Sequence, residues 1–360
     1  MTSIRFPVET VRRQTAAILG AWGMAPETVE PTVAVMTETD QRGIDSHGIA
    51  MLPLYGELRR QGKIEMRPRI EVVRDAGVTG LIDGGGGLGH APSTQAMRLA
   101  IAKAREMGMA AVAVRNSNHF GAAGAYALMA ARAGLIGMAM TNAGSRVIVP
   151  TRAKEAVFGT NPIAFAAPAG RQRPFVLDMA TSTVAVGKIK LAVYNGKPLP
   201  GGWVVDPEGR TVTDPKQPFD GHGRIRPGFG VTPLGGLPML SSHKGYGLAA
   251  MVEILCSMLP GTPFIGAVDR AEHQTGHFFL ALDPAAFRDP DDYAHELDAM
   301  IEHLHGLSPM DPEAPVLVAG DPEDAAEAER REQGVPVPAL LRKALQVLCE
   351  EAGAEFLMAD

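Results

Sequence analysis

The chain has 360 residues, of which 46% are hydrophobic, so it is long enough for one large or two ordinary domains with a sizeable core. Its 41 glycines, 28 prolines and 5% aromatic residues indicate many turns, and they argue against a helical bundle or a surface that stacks bases. The formal net charge of −6 excludes a basic field for nucleic acid or an anionic membrane surface.

The N-terminal part of the chain predicts helices. Residues 7–22 and 26–40 carry apolar side chains at helical spacing, and Pro26 suits the first turn of the second helix. A third helix is expected after the segment RGIDSHG, because apolar residues then recur at three-residue steps.

From about residue 70 the pattern changes to short β-type runs that alternate with alanine-rich helices, which is typical of an α/β fold. The run GHFFLALDPAAF is interpreted as the last strand. Acidic helices follow, including a charged run at 321–333 that is expected to be solvated. We therefore predict a helical part at 1–68, an α/β domain at 69–288 and a C-terminal helical part at 289–360 that packs on the first part.

The cysteines and the N-terminus bear on the cell compartment. Cys256 and Cys349 are the only cysteines, and each lies in an apolar helical pattern that indicates a buried, reduced thiol. Residues 1–23 lack the unbroken apolar stretch of a signal peptide, and no window is apolar enough to span a membrane. We expect a cytoplasmic protein.

Two histidine pairs have spacings that could serve metal ligation, His273 with His277 and His303 with His305. The first pair lacks the nearby glutamate of an HExxH motif, and the second is predicted on an exposed helix. We expect no metal site.

A glycine-rich segment resembles a dinucleotide fingerprint, since Gly84, Gly86 and Gly89 satisfy G-x-G-x-x-G between a predicted strand and a helix. In a Rossmann fold the next strand would end in an acidic residue that binds a ribose hydroxyl, but here it ends in Arg115, Asn116 and Ser117. We favour a plain glycine turn that allows close backbone approach.

The segment IDSHG places Asp45, Ser46 and His47 in one short turn, with Asp45 or Ser46 at the N-cap of the third helix. An imidazole suits proton exchange with a substrate hydroxyl, because its unperturbed pKa is about 6.5. The alternative is an ordinary capping or surface histidine. Adjacent Ser and His do not make a hydrolase triad, since the base must reach the nucleophile across space.

Several segments place small, hydroxyl and amide residues at predicted strand ends or helix starts: 116–124, 141–145, 158–165, 177–183 and 241–247. Such loops can supply donors to phosphate, ribose or carboxamide groups, although each one alone could be a plain polar turn. The first contains His119 before a helix start, and the last offers His243 and Lys244 to a phosphate. Together they suggest a nucleotide.

In their order these motifs resemble the malate/L-lactate dehydrogenase family, which includes ureidoglycolate dehydrogenase, sulfolactate dehydrogenase and Δ1-piperideine-2-carboxylate reductase. The resemblance covers nearly the whole chain. It is carried by the segments RGIDSHGIAMLPLY, RNSNHFGAAGAYA, FGTNPIAFAAP, LDMATSTVAVGKI, HKGYGLA and GHFFLALDP, with a degenerate AGDPE.

This resemblance implies a homodimer with a non-Rossmann nucleotide-binding α/β domain, a helical domain built from both termini, and NAD or NADP as the cofactor. It assigns His47 as proton donor with Ser46 as its relay partner, His119 as acid/base in the ureidoglycolate branch, and Thr160 as a substrate contact. The candidate cofactor contacts are His119, Phe120, Gly121, Asn142, Asp178, Met179, Ala180, His243, Lys244, Gly320, Asp321 and Pro322.

Two positions depart from the piperideine-reductase branch. Met51 stands where that branch has a substrate-binding arginine, and Lys188 stands where it has a relay aspartate. A substrate carboxylate therefore needs another cation, for which Arg42, Arg146 and Arg152 are candidates, with Arg146 preferred.

The sequence thus predicts an NAD(P)-dependent dehydrogenase of a small, malate- or lactate-like 2-hydroxy carboxylate. A reductase of cyclic 2-imino acids and a ureidoglycolate-type dehydrogenase are the alternatives within the family. A metal- or serine-dependent amide hydrolase and a non-catalytic nucleotide-binding relative are the alternatives outside it.

Overall fold

The computed structural model of the protein describes residues 3–220, 225–266 and 274–359. The chain divides into two compact units. Unit 1 comprises Met1–Ala139, Ala164–Leu177 and Phe279–Asp360, and unit 2 comprises Met140–Ile163 and Asp178–Phe278.

The helices and strands follow one another along the chain in a mixed α/β order. In the first half they are β1 (Ser3–Phe6), α1 (Val8–Ala21), α2 (Pro26–Gln41), α3 (Leu52–Arg60), β2 (Glu71–Ala76), β3 (Thr79–Asp83), α4 (His90–Met107), β4 (Met109–Ser117), α5 (Ala123–Arg132), β5 (Ile136–Thr141), β6 (Ile163–Ala167) and β7 (Phe175–Met179). In the second half they are α6 (Val186–Asn195), β8 (Val204–Val205), β9 (Gly230–Val231), α7 (His243–Glu253), β10 (Thr275–Leu282), α8 (Pro290–His305), α9 (Asp321–Gln333), β11 (Val335–Pro338) and α10 (Ala339–Ala352).

In the described part of the chain, seven strands form one sheet in the order β2-β3-β4-β10-β5-β6-β7. Strands β3 and β4 are parallel, with Asp83 opposite Arg115, whereas β2 and β3 are antiparallel. Helices α4 and α5 contribute buried alanines to the core of unit 1 that also contains Ile82, Val112 and Phe279. These small side chains allow helices to pack closely, which explains the alanine-rich pattern of the sequence.

A second core of unit 1 joins the two ends of the chain. Strand β1 pairs antiparallel with β11, with Phe6 opposite Val335. Side chains of α1, α2, α3 and α10, among them Leu19, Met36 and Leu345, form one buried apolar cluster. The prediction that β10 is the last strand was wrong, because β11 is recognisable only through its distant partner β1.

Unit 2 has two smaller apolar cores and a short two-stranded pairing of β8 with β9. Its helix α7 continues directly into a π-helical turn over Ile254–Met258. This turn contains Cys256, which is buried, as is Cys349 in α10, so the prediction of buried thiols is confirmed.

The glycine-rich segment after β3 serves backbone packing. A Cβ on Gly85 would lie 2.7 Å from the carbonyl oxygen of Arg69, and one on Gly87 would lie 2.5 Å from Pro68 Cγ. The Asn118 amide also donates to the carbonyl of Gly86 at 2.8 Å. These contacts agree with the interpretation as a plain glycine turn. No helix in the described ranges is long and apolar enough to cross a bilayer.

Candidate active site

His47 lies in a turn that the end of α2 holds in place. The carboxyl group of Asp40 accepts a hydrogen bond at 2.8 Å from the backbone N–H of Ile49, the first residue of the 3₁₀ turn Ile49–Met51 that leads into α3. A Cβ on Gly48 would lie 1.8 Å from Asp40 Oδ1, so any larger residue there would have to displace this carboxyl group. The glycine of the IDSHG motif is therefore required by contact with a buried carboxyl group.

Arg330 of α9 fixes the same turn from a second side. Its guanidinium contacts both carboxylate oxygens of Asp45, one of them at 3.2 Å, and donates to the main-chain carbonyl of Asp40 at 2.6 Å. Because Arg330 is buried, these charge-assisted hydrogen bonds fix the backbone around His47.

The imidazole of His47 is half-buried, and Ser46 Oγ lies 2.8 Å from its Nδ1. Burial lowers the pKa of His47. Since the hydroxyl of Ser46 can donate or accept, it can follow a change in the protonation of the ring.

His119 follows β4 and stacks on His47, with ring centroids 5.5 Å apart and planes inclined by 23°. The hydroxyl of Tyr55 lies 2.7 Å from His119 Nδ1, and the backbone N–H of Gly121 donates to the same nitrogen at 3.3 Å. Burial holds the pKa of His119 well below its usual range, and the neighbouring His47 and His90 lower it further. His119 is therefore a neutral imidazole at neutral pH.

Gly121 has φ of +81°, and a Cβ there would lie 3.0 Å from His90 Nε2. A larger residue would thus meet both backbone strain and a fully buried ring. Ser46, His47, His119 and Gly121, predicted from the sequence, are brought together in unit 1.

Sequence reasoning missed several residues of this cluster, namely Asp40, Tyr55, His90 and Arg330. Tyr55 is part of an ordinary apolar helical pattern, and Asp40 ends an ordinary amphipathic helix. Nothing local distinguishes them from core or surface residues, because their partners lie elsewhere in the chain.

Phe120 and Met51 have packing roles. The Phe120 ring is buried and stacks on Tyr126 at 4.9 Å between centroids, and its carbonyl accepts the Tyr126 hydroxyl at 2.5 Å. Its side chain therefore belongs to the core, and any cofactor contact would have to come from its main chain. Met51 packs against the core that joins the chain ends.

In unit 2, Asn142 belongs to a buried polar network. Its amide donates to Ser257 Oγ at 2.7 Å and accepts from the backbone N–H of Gly276 at 2.7 Å. Ser257 in turn donates to Glu253 at 2.6 Å, and Asn161 donates to the same carboxylate at 3.0 Å. The predicted contact of Asn142 with a cofactor remains a prediction, and the amide is already occupied in the structure.

Thr160 lies beside the end of β7 in unit 2. Its carbonyl accepts hydrogen bonds from the backbone N–H and the hydroxyl of Thr181 at 2.9 and 3.0 Å. Thr160, the predicted substrate contact, is thus hydrogen-bonded to Thr181, which directly follows the predicted cofactor segment Asp178–Ala180.

His243 and Lys244 are exposed in the first turn of α7. The preceding residue, Ser242, is buried, with its hydroxyl 2.9 Å from that of Thr151. Arg146, also in unit 2, donates through Nε to the carbonyl of Ile265 at 2.8 Å.

Gly320, with φ of +109°, is the N-cap of α9, and a Cβ there would approach the backbone of Val176 at 3.3 Å. The carboxylate of Asp321 accepts from the N–H of Val318 at 2.7 Å and contacts His305 Nε2 at 2.7 Å. This segment therefore has a clear structural role at the start of α9, and its cofactor contacts stay a prediction.

Arg42 is not available for a substrate carboxylate. Its side chain is 7% exposed and pairs with Asp324 at 2.9 Å and Glu327 at 3.1 Å. The prediction that the charged run 321–333 is simply solvated was therefore wrong in part, because Asp324, Glu327 and Arg330 point inward to buried partners. A compositional pattern cannot reveal charges neutralised by residues far away in the chain.

The described residues contain no group of three or more side chains that could hold a metal ion. His277 is buried with Nδ1 2.8 Å from Thr141 Oγ1, whereas its predicted partner, His273, lies outside the described residues. His303 and His305 lie in the last turn of α8, where His305 contacts Asp321.

A family model described as malate/L-lactate dehydrogenase matches residues 6–346 of the chain. The chain belongs to the malate/L-lactate dehydrogenase family. This agrees with the resemblance that the sequence motifs indicate.

Proteins named as malate or sulfolactate dehydrogenases are similar to this chain over most of their length. Malate dehydrogenase of Pyrococcus horikoshii is 34% identical over 358 residues, which are 98% of this chain and 97% of the relative. A (2R)-3-sulfolactate dehydrogenase (NADP(+)) of Chromohalobacter salexigens is 36% identical over 296 residues, 80% of this chain and 83% of the relative. The crystal structure of malate dehydrogenase from Entamoeba histolytica matches with a TM-score of 0.92 and 29% identity, over 98% of this chain and 99% of that one.

Proposed function

We propose that the protein is an NAD(P)-dependent oxidoreductase that interconverts a small 2-hydroxy carboxylate of the malate or lactate type and its 2-oxo acid. The observation that carries this proposal is the stacked pair of His47 and His119, two imidazoles whose pKa values are both lowered by burial. A neutral imidazole can take a proton from a substrate hydroxyl at neutral pH and return it in the reverse direction. Membership in a dehydrogenase family supports the same chemistry.

Two exposed donors of the chain support the proposal of a dinucleotide cofactor. Exposed His243 and Lys244 lie at the positive end of the α7 dipole, where phosphate groups bind well. A bound nicotinamide would supply the hydride chemistry that no side chain can perform. The residues proposed to contact the cofactor are His119, Phe120, Gly121, Asn142, Asp178, Met179, Ala180, His243, Lys244, Gly320, Asp321 and Pro322. We propose NAD or NADP as this cofactor.

We propose that His47 exchanges a proton with the oxygen on C2 of the substrate. We also propose that Ser46 holds the imidazole ring through Nδ1 and acts as its relay partner. With its hydrogen on Nδ1, His47 donates to the hydroxyl of Ser46 at 2.8 Å, and Nε2 then has the lone pair that takes the proton of the substrate hydroxyl. The fixed turn around His47 then serves catalysis by positioning, because the reacting ring does not have to be ordered when the substrate binds.

The substrate carboxylate requires a cation, since guanidinium groups are its usual partners. Arg42 is neutralised by two carboxylates, and Met51 offers no charge. We therefore propose Arg146, with Thr160 as a neutral contact and Arg152 as the second candidate. Met51 disfavours a reductase of cyclic 2-imino acids, because that branch of the family has a substrate-binding arginine at this position.

We further propose that the chain acts as a cytoplasmic homodimer. The same proposal includes a non-Rossmann nucleotide-binding domain over 69–288 and a helical domain formed by 1–68 and 289–360. The pairing of β1 with β11 and the shared core of α1 and α10 support the union of the two chain ends.

The deciding experiment is a matrix of substrates and cofactors, read as absorbance of the reduced nicotinamide. Oxaloacetate, pyruvate, sulfopyruvate and a cyclic 2-imino acid are tested with NADH and NADPH, and ureidoglycolate is tested with NAD and NADP, each with and without a chelator. We expect turnover of at least one 2-oxo acid that the chelator does not affect. Turnover of the imine alone or of ureidoglycolate alone would replace the proposal, and cofactor binding without turnover of any compound would favour a non-catalytic relative.

A further inference from the structure

Tyr55 ends the segment RGIDSHGIAMLPLY, in which the sequence assigns it no role, and its hydroxyl lies against a ring of the candidate site. The side chain is buried in the core that joins the chain ends, and its hydroxyl lies 2.7 Å from His119 Nδ1. Its ring also contacts the His90 ring edge-on at 5.8 Å between centroids. A phenol held this firmly from all sides cannot follow a moving partner.

The geometry points to Tyr55 as a positioning residue that fixes His119 in the tautomer with hydrogen on Nε2, so that Nε2–H can donate to an oxygen of the substrate. The structural half of this inference stands on the contacts of unit 1 alone. The half that concerns the substrate rests on the proposed function.

The tautomer follows from the donors that meet at Nδ1. The backbone N–H of Gly121 points at this nitrogen and can only donate, so a hydrogen on Nδ1 would face another hydrogen. The phenol of Tyr55 then donates to the same lone pair. Burial raises the pKa of Tyr55 far above its usual range, so this hydroxyl keeps its proton.

The other nitrogen of the ring is left for a ligand. Within the described residues, His119 Nε2 makes no hydrogen bond, whereas Nδ1 receives two. A fixed Nε2–H is a donor that needs no reorganisation when an oxygen gains negative charge, and such donors stabilise transition states. His119 would thus hold the oxygen while His47 moves the proton, which gives the two stacked histidines different tasks.

The test is ¹⁵N NMR of histidine-labelled protein, which distinguishes the two tautomers by the chemical shifts of the ring nitrogens. In the wild-type protein we expect an acceptor-type Nδ1 and a protonated Nε2 for His119, assigned by its loss in His119→Gln. A wild-type signal with the hydrogen on Nδ1 would overturn the inference whatever any variant does.

Tyr55→Phe removes only the hydroxyl, and Tyr126→Phe is the matched control. Tyr126 is an equally buried tyrosine whose hydroxyl donates to the carbonyl of Phe120 and not to His119. We expect Tyr55→Phe to shift the Nδ1 resonance and raise the pH at which His119 titrates, and Tyr126→Phe to leave both unchanged. Equal spectra and titrations of His119 in the wild type and Tyr55→Phe would refute the role of Tyr55.

Kinetics test the half that concerns the substrate. If the Nε2–H of His119 donates in the transition state, Tyr55→Phe should lower kcat about tenfold with little change in KM for the 2-oxo acid, the effect of one hydrogen bond. A protein that shows the expected NMR response but turns over no substrate would retain the structural assignment and lose the proposed function. Normal kcat in Tyr55→Phe beside a shifted His119 signal would contradict the catalytic consequence alone.

Discussion

The two histidines of the stack are held by opposite kinds of environment. The turn of His47 is half-exposed and is fixed by ionisable side chains, with the carboxyl group of Asp40 under the backbone and Arg330 on Asp45. The His119 ring is fixed by a buried phenol and by close packing of Gly121 on His90. An acid/base residue must exchange protons with solvent, whereas a hydrogen-bond donor must not change its charge. These environments support the proposal that His47 transfers the proton and that His119 donates a hydrogen bond without changing its charge.

Removal of either imidazole ring is the strongest test of the different roles proposed for His47 and His119. We expect His47→Ala to lower kcat by 10²- to 10⁴-fold, the usual contribution of a general acid/base, with nearly unchanged cofactor affinity. His119→Ala should lower kcat less, without removing the pH dependence. Steady-state kinetics over a pH series measures both, and the reverse ranking of the two variants would exchange their roles.

Glycine substitutions test how tightly the backbone is packed next to His47 and next to His119. Gly48→Ala places a Cβ 1.8 Å from Asp40 Oδ1, and we expect a loss of about 3 kcal/mol or more in the free energy of unfolding. Gly121→Ala, with φ of +81° and a contact of 3.0 Å to His90, should cost about 1–3 kcal/mol. Gly20→Ala in α1 has open space around it and should stabilise by about 0.5–1 kcal/mol. Chemical denaturation of all three provides the measurement, and tolerance of Gly48→Ala would show that the Asp40 contact is not tight.

The pH dependence of stability sharpens the difference further. Burial raises the pKa of Asp40 to about 7, with Asp45 raising it and the Ile49 N–H and Arg330 lowering it. The folded state therefore holds a proton that the unfolded chain releases near pH 4, and stability falls as the pH rises from about 4 to about 7.

Asp40→Asn keeps an oxygen for the Ile49 N–H and removes this titration. Between pH 5 and pH 8 we expect the wild type to lose roughly 2–3 kcal/mol relative to Asp40→Asn. Denaturation curves of the two proteins across this range provide the comparison. Parallel curves would mean that the carboxyl group stays charged in the folded state.

The smallest expected effect concerns Ser46. Ser46→Ala removes the 2.8 Å contact to His47 Nδ1 but leaves the turn intact, and we expect kcat to fall by about three- to tenfold. Ser46→Thr, which keeps a hydroxyl, should recover most of the loss. An unchanged rate in Ser46→Ala would remove Ser46 from the relay.

Much of this organisation follows from local sequence patterns. Pro26 begins α2 as its position predicts, α4 and α5 follow the alanine-rich segments, and IDSHG together with His119 marks the stacked pair. These features depend on residues a few positions apart. Periodicity and turn chemistry are therefore sufficient to find them.

The remaining features depend on contacts between distant segments. Arg330 pairs with Asp45, which lies 285 positions away in the sequence. Strand β11 is defined by its pairing with β1 at the other end of the chain. Arg42 looks like a free cation until Asp324 and Glu327 are placed beside it. Local patterns carry no information on such pairs, since the same residues on a surface would have the same sequence.

The ion pair of Arg330 also determines when the site can be completed during synthesis. Translation delivers the His47 turn early, but its contacts with Arg330 cannot form until the chain has grown past position 330 and left the ribosome. A polypeptide that ends before position 330 would thus contain both histidines but lack the contacts of Arg330 that fix the His47 turn.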